Sequence, residues 1–135
     1  MSRRFEETWG LYFRLLSGVV KDSSGAIGEH GLDVKEFFVL DDVVNCPYPA
    51  ELAERLSIPR ATMTGYIKSL EAAGFVSREI DRGDMRRHRL MVTPSGQLAV
   101  QEARKILNMV FASRMERLSK LEQNSLRMLL AKLAS

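Results

Sequence analysis

The chain has 135 residues, 45% of them hydrophobic and 27% charged, with 20 Lys/Arg against 17 Asp/Glu and a net charge of +3. That length fits one domain or a merged pair of lobes with a core of its own, and no apolar run approaches the roughly 18–20 residues needed to span a bilayer. A single cysteine excludes an internal disulfide and a four-cysteine zinc site, and the opening stretch has Arg3 and Arg4 but lacks the apolar region of a secretory signal; the expectation is a soluble, cytoplasmic protein.

Residues 5–22 read as a helix. Phe5, Trp9, Tyr12, Phe13, Leu16 and Val20 recur at helical spacing as a wide apolar stripe. Such aromatic stripes serve packing or subunit contact more often than ligand binding. Residues 23–31, with Gly25, Gly28 and Gly31, read as a loop without the spacing of a phosphate-binding loop. His30 and His88 are the only histidines, too sparse for a metal site, and nothing in the chain calls for a cofactor. Asp33 is placed to cap the next helix, with Glu36 three residues on as in a capping box. Phe37, Leu40 and Val44 give that helix an inward face, and Pro47 ends it. Asp41 and Asp42 are adjacent, hence about 100° apart on a helix, and do not converge as a catalytic carboxylate pair. Cys46 lies near a helix carboxyl end, where the dipole disfavours a thiolate, and it reads as structural.

Residues 48–93 carry most of the information. They read as a short helix, a tight turn, a longer helix at 59–73 and two strands joined by an arginine-rich loop. Pro59 suits the first turn of that helix and Gly74 the left-handed position after it. Met63, Ile67 and Leu70 form one apolar stripe, while Arg60, Thr64 and Lys68, beside Ala61 and Gly65, form a polar, basic face of low bulk. A helix pinned on one side and offering such groups on the other is what the DNA major groove admits. Val76, Arg78 and Ile80, then Leu90 and Val92, alternate as strands with one buried face would. Between positions 55 and 91 eight Lys/Arg face four Asp/Glu, so this segment carries +4 and the rest of the chain −1. Concentrated positive charge of this kind marks a phosphate-binding surface.

The run ELAERLSIPRATMTGYIKSLEAAGFVSRE, followed by Asp84 and Arg86 in a D-x-R arrangement and then LMVTPSG, resembles the MarR family of winged helix-turn-helix transcription regulators over nearly the whole chain. The resemblance implies a mainly α fold with a small antiparallel β-hairpin. The winged helix-turn-helix lobe would occupy residues 32–93, and a helical dimerisation lobe residues 5–22 and 94–134. It implies that 59–73 is the recognition helix and 81–87 the wing tip, with Arg86 reaching into the minor groove and Asp84 shaping the wing by pairing with nearby arginines. The DNA-binding set expected is Arg60, Ala61, Thr62, Thr64, Gly65 and Lys68 on the helix, with Arg78, Arg82, Arg86 and Arg87 on the hairpin. Two positions depart from the family pattern. Gly65 stands where many relatives carry a larger polar residue, and Met85 where a basic one is frequent.

Thr93 and Pro94 open a long helix running to about residue 118, with Leu98, Ile106, Leu107, Val110, Phe111 and Met115 as its apolar positions. Ser119 and Glu122 form a second capping box before a last amphipathic helix bearing Leu126, Leu129, Leu130 and Leu133. These faces exceed what the small DNA-binding lobe can cover, so a second copy is expected to cover them. A two-fold pair would set two recognition helices about one DNA turn apart. The sequence thus predicts a homodimeric, sequence-specific regulator of a palindromic operator, acting as a repressor. The family resemblance adds a small aromatic or phenolic acid effector, for which Trp9, Tyr12, Phe13, Arg14 and Phe37 are lining candidates. A sequence-tolerant architectural DNA binder and a protein-interaction module on the same scaffold are the alternatives. No nucleophile–base pair, metal cluster or phosphate loop points to an enzyme.

Overall fold

The computed structural model describes residues 3–135; the first two residues of the stretch searched for a secretory signal lie outside the described residues. After one 3-10 turn at Arg3–Phe5 come α1 (Glu6–Gly28), α2 (Val34–Asp42), α3 (Pro49–Arg55) and α4 (Arg60–Ala72). The strands β1 (Val76–Ile80) and β2 (His88–Val92) follow, then α5 (Pro94–Met115) and α6 (Lys120–Ala134). The strands pair antiparallel, with Val76 opposite Val92, Arg78 opposite Leu90 and Ile80 opposite His88. The fold is therefore mainly α with one hairpin, as the sequence predicts.

The core gathers α2, α3, α4 and the base of the hairpin under the first half of α5 and the end of α1. Leu40, Leu52, Met63, Ile67, Leu70, Val76, Leu90 and Ala103 are all buried in it. The stripe expected on α4 is the one observed: Met63, Ile67 and Leu70 point inward, and the opposite face stays in water. Gly74, at φ 80°, takes the left-handed position that ends α4. Pro59 is the residue before the helix rather than its first residue; its ψ of 142° is extended, and Arg60 begins the helical turn. In the turn from α3 to α4 Ser57 itself is left-handed at φ 54°.

Four local expectations are corrected. First, residues 23–28 are helix, not loop, so the first helix runs six residues past position 22. Val19, Ser23 and Ile27 lie four apart and are all buried. The Ser23 hydroxyl donates to the Val19 carbonyl at 2.7 Å, so burial overrides the low helix propensity of the exposed glycines. Second, Asp33 does cap α2, accepting the Lys35 N–H at 2.8 Å, but Glu36 does not close a capping box. Its carboxylate instead accepts the Ser69 hydroxyl at 2.9 Å and ties α2 to α4. Third, α2 ends at Asp42, well before Pro47, and the change of phase turns Val43 inward while Val44 is 73% exposed. Fourth, Ile80 is 54% exposed, because the hairpin leaves the core after Val76 and projects as a wing.

At the start of α5, the Thr93 hydroxyl accepts the Gly96 N–H at 3.1 Å and donates to the Gly74 carbonyl at 2.6 Å. Gly96 is buried where a Cβ would sit 2.2 Å from the Phe75 carbonyl oxygen, so only glycine lets this helix cross the hairpin so closely. The inward residues of α5 are Ala99, Val100 and Ala103, and Leu98 faces solvent. The helix stops at Met115, three residues short of the expected end. Ser119 and Glu122 make both bonds of the expected capping box, at 2.8 and 3.2 Å. The Glu122 carboxyl is thereby held below its ordinary range, by the Ser119 N–H first and its hydroxyl second.

Candidate nucleic-acid interface

On α4, Arg60, Ala61, Thr62, Thr64, Gly65 and Lys68 all lie on the exposed side, opposite the buried stripe. The Thr64 hydroxyl donates to the Arg60 carbonyl at 2.9 Å, which leaves its oxygen free to accept. A Cβ on Gly65 would meet nothing within 4 Å, so packing does not require glycine there. Gly65→Ala is therefore expected to stabilise the fold by about 0.5–1 kcal/mol through helix propensity. An increase in urea midpoint measures this, and a decrease would contradict it.

The wing is closed by a ring of short hydrogen bonds. The Asp81 N–H donates to the Arg87 carbonyl at 2.9 Å, and the Arg87 N–H donates to the Asp84 carbonyl at 3.0 Å. One Asp81 oxygen accepts the Gly83 N–H at 2.9 Å, and the other accepts the Tyr48 hydroxyl at 2.8 Å. Asp84 shapes the turn as well, but through the Arg86 backbone N–H at 3.0 Å rather than through a guanidinium. That corrects the expected arginine pairing: a short aspartate facing a turn meets amides first, and the Arg87 guanidinium pairs with Glu51 instead. Asp81 is the wing residue that the sequence pattern alone did not single out. Its signal was present as Asp-x-Gly, an aspartate two residues before a turn glycine.

These bonds tune the titration of both partners. The Gly83 N–H and then the Tyr48 hydroxyl hold the Asp81 carboxyl below the ordinary aspartate value, while the bond to Asp81 pushes the Tyr48 hydroxyl up. A carboxyl depressed on folding contributes above its unfolded value and loses that contribution as pH falls through the folded one. The wing turn is thus expected to persist from neutral pH through the ordinary aspartate range and to loosen only below it. An NMR titration of the Asp81 carboxyl reads this directly, and a midpoint at or above the ordinary value would contradict it.

The cations divide into two groups. Arg60, Lys68, Arg82 and Arg86 are exposed. Arg78 pairs with Glu71 at 2.8 Å, and Arg87 pairs with Glu51 at 2.7 Å with its guanidinium carbon 3.7 Å from the Tyr48 ring centroid.

The five effector candidates do not share an enclosed site within one chain. Phe37 is buried in the core, whereas Trp9 and Phe13 are 65% and 58% exposed on the open face of α1, with the Trp9 ring stacked on Tyr12 at 5.8 Å and tilted against Phe13 at 6.5 Å. Arg14 is exposed on the same helix. A separate cleft of about 330 Å3 lies between α2 and α5, lined by Leu40, Val44, Val92 and Val100 and flanked by Arg104, which donates to Asp41 at 2.6 Å. No helix among the described residues is long and apolar enough to cross a membrane.

A buried-stripe helix reached by a tight turn and followed by a basic hairpin defines a winged helix-turn-helix protein, here joined to a lobe of long helices. The MarR family model matches residues 44–88, the span from just after α2 through the wing to the start of β2. The chain is 25% identical over 95 residues to the HTH-type transcriptional regulator PapX of Escherichia coli, covering 67% of this chain and 58% of the length of PapX. The MarR family protein Rv2887 of Mycobacterium tuberculosis, solved with p-aminosalicylic acid, superposes with a TM-score of 0.77 at 26% identity over 93% of this chain and 96% of that one. Rv2887 has also been solved with DNA, at a TM-score of 0.77 and 25% identity over 93% and 95%. A MarR family regulator from Rhodococcus sp. RHA1 shares the fold with a TM-score of 0.80 at 20% identity over 98% and 96%. The chain thus carries a segment that matches the MarR family model, within a fold it shares with solved MarR family proteins.

Proposed function

We propose that this chain is a cytoplasmic, DNA-binding transcription regulator that binds as a homodimer to an inverted-repeat operator and acts there as a repressor. The observation that carries the reading is the pairing of an exposed basic, low-bulk face on α4 with a wing bearing Arg82 and Arg86, on a fold that matches Rv2887, a protein solved with DNA. The helix face reads base edges in the major groove through Arg60, Thr62, Thr64 and Lys68, with Ala61 and Gly65 allowing close approach. The wing arginines reach the flanking backbone and minor groove. Arg78 begins from its pair with Glu71 and adds what that pair leaves free.

Residues 32–93 serve as the DNA-binding lobe, and the end helices serve as the dimerisation lobe. Support for the second copy comes from apolar surface that one chain leaves open: α6 has no buried residue, with Leu133 82% exposed, and Phe5 just before α1 and Trp9, Phe13 and Leu16 on it are exposed. Open surface on this scale marks an association site. Sedimentation of the protein with a 40-bp duplex of mixed sequence tests both parts. Two chains per duplex and an affinity that falls steeply with salt are expected; a monomer, or binding indifferent to salt, would refute the reading.

Repression relieved by a small aromatic acid draws on Rv2887, solved with p-aminosalicylic acid and with salicylic acid. Two features fit such a ligand: the cleft beside Arg104, and the Trp9–Tyr12–Phe13 face with Arg14, which becomes a pocket wall once a second copy covers it. An effector acts only through unequal affinity for the two arrangements of the dimer. Salicylate at millimolar concentration is therefore expected to weaken duplex binding, and unchanged binding would remove this part of the proposal. The architectural alternative keeps one specific support, the small side chains of Ala61 and Gly65 on the reading face.

A further inference from the structure

The distal half of the hairpin has no apolar anchor. Val76 and Leu90 are the buried residues of the strands, while Ile80 and His88, the pair next to the turn, are exposed. A two-stranded hairpin alone is marginal in water, so polar contacts must fix where the wing points. They come from the entry to α3. The Pro47 carbonyl accepts the Leu90 N–H at 2.8 Å, the Tyr48 hydroxyl donates to Asp81, and the Arg87 guanidinium lies over the Tyr48 ring while Nη2 donates to Glu51. The Arg87 backbone closes the wing at the same time, donating its N–H to the Asp84 carbonyl while its own carbonyl accepts the Asp81 N–H.

We infer that Arg87 is a positioning residue rather than a DNA contact, and that Glu51, Arg87, Tyr48 and Asp81 form a clamp holding the wing so that Arg82 and Arg86 meet the DNA backbone. The inference rests on the DNA-binding reading above. One face of the Arg87 guanidinium is covered by the ring, one edge is taken by a carboxylate, and the side chain is half-buried. Arg82 and Arg86, on either side of the turn, are exposed. A planar guanidinium suits this place because it stacks and hydrogen-bonds at once, which an ammonium cannot do.

Tyr48→Phe is the decisive variant, because it breaks the link to Asp81 without removing a charge. Binding to a 40-bp mixed-sequence duplex is measured across a salt series, and wing amide order is read by 15N relaxation without DNA. For every phosphate the protein ceases to neutralise, the salt slope falls by about 0.9. Tyr48→Phe and Arg87→Ala are both expected to disorder the amides of residues 81–88 and to lower the slope at least as far as Arg86→Ala. Arg86→Ala should lower the slope with the wing amides as ordered as in the wild type. Adding Arg86→Ala to Tyr48→Phe should change little further, as for groups acting through one device. The inference is overturned if Tyr48→Phe leaves slope and wing order unchanged while Arg87→Ala behaves like Arg86→Ala. Should the wild type bind no duplex, the DNA reading fails, and the relaxation data alone still decide the clamp.

Discussion

Ile67→Ala is expected to destabilise the fold by about 2–5 kcal/mol, the range for truncating a fully buried isoleucine. Ile67 is the centre of the stripe that seats α4, buried between Met63 and Leu70 against the lobe core. The cavity cannot easily close, because the core residues Leu40, Leu52 and Val76 are held by three separate elements. A domain of this size has roughly 5–15 kcal/mol of stability in total, so the variant should show a much lower urea midpoint and a weakly populated native state at 37 °C. A change below about 1 kcal/mol would mean that α4 is not held by this stripe. The consequence reaches the proposed function directly, because the same helix carries the residues proposed to face the DNA groove on its other side.

Arg86→Ala is expected to weaken duplex binding about a hundredfold or more while leaving stability within about 0.5 kcal/mol of wild type. A hydrogen bond to a charged group contributes roughly 1.5–3 kcal/mol, and the proposed dimer would lose one or more from each wing. The side chain is exposed and its backbone N–H, not its guanidinium, holds the turn, so the fold should not notice its removal. Fluorescence anisotropy against a labelled duplex at about 150 mM salt, with a urea titration of the free protein, separates the two effects. Wild-type affinity in the variant would remove the wing from the DNA-binding account.

Much of this was legible in the residues. Helix α4 declared itself because Met63, Ile67 and Leu70 repeat at helical spacing with polar residues opposite, a pattern local to fifteen positions. The caps at Asp33, Thr93 and Ser119 were readable for the same reason: each bonds an amide within three residues. What escaped depended on residues distant in sequence. The Ser23–Ile27 turn looks like loop composition until tertiary burial of Ile27 is known. Glu36 fits a local capping box by spacing, yet its partner Ser69 comes from another helix. Arg87 is one more cation in a basic run until Tyr48 and Glu51 are seen beside it. The family resemblance pointed to Asp84 as the wing-shaping residue, and only the fold shows that Asp81 reaches both Gly83 and Tyr48.

The effector candidates show the same limit in another form. Trp9, Tyr12 and Phe13 do lie together on α1, as their spacing implies, but Phe37 is buried in the core, away from them. Helical periodicity tells which residues share a face and not what covers that face.

Selection of bound sequences from a random duplex pool at about 150 mM salt tests the central claim most directly. The account predicts enrichment of an inverted repeat whose half-site centres lie about one helical turn, roughly 10 bp, apart. Retained binding with no enriched sequence, or no binding by a folded dimer, would contradict it.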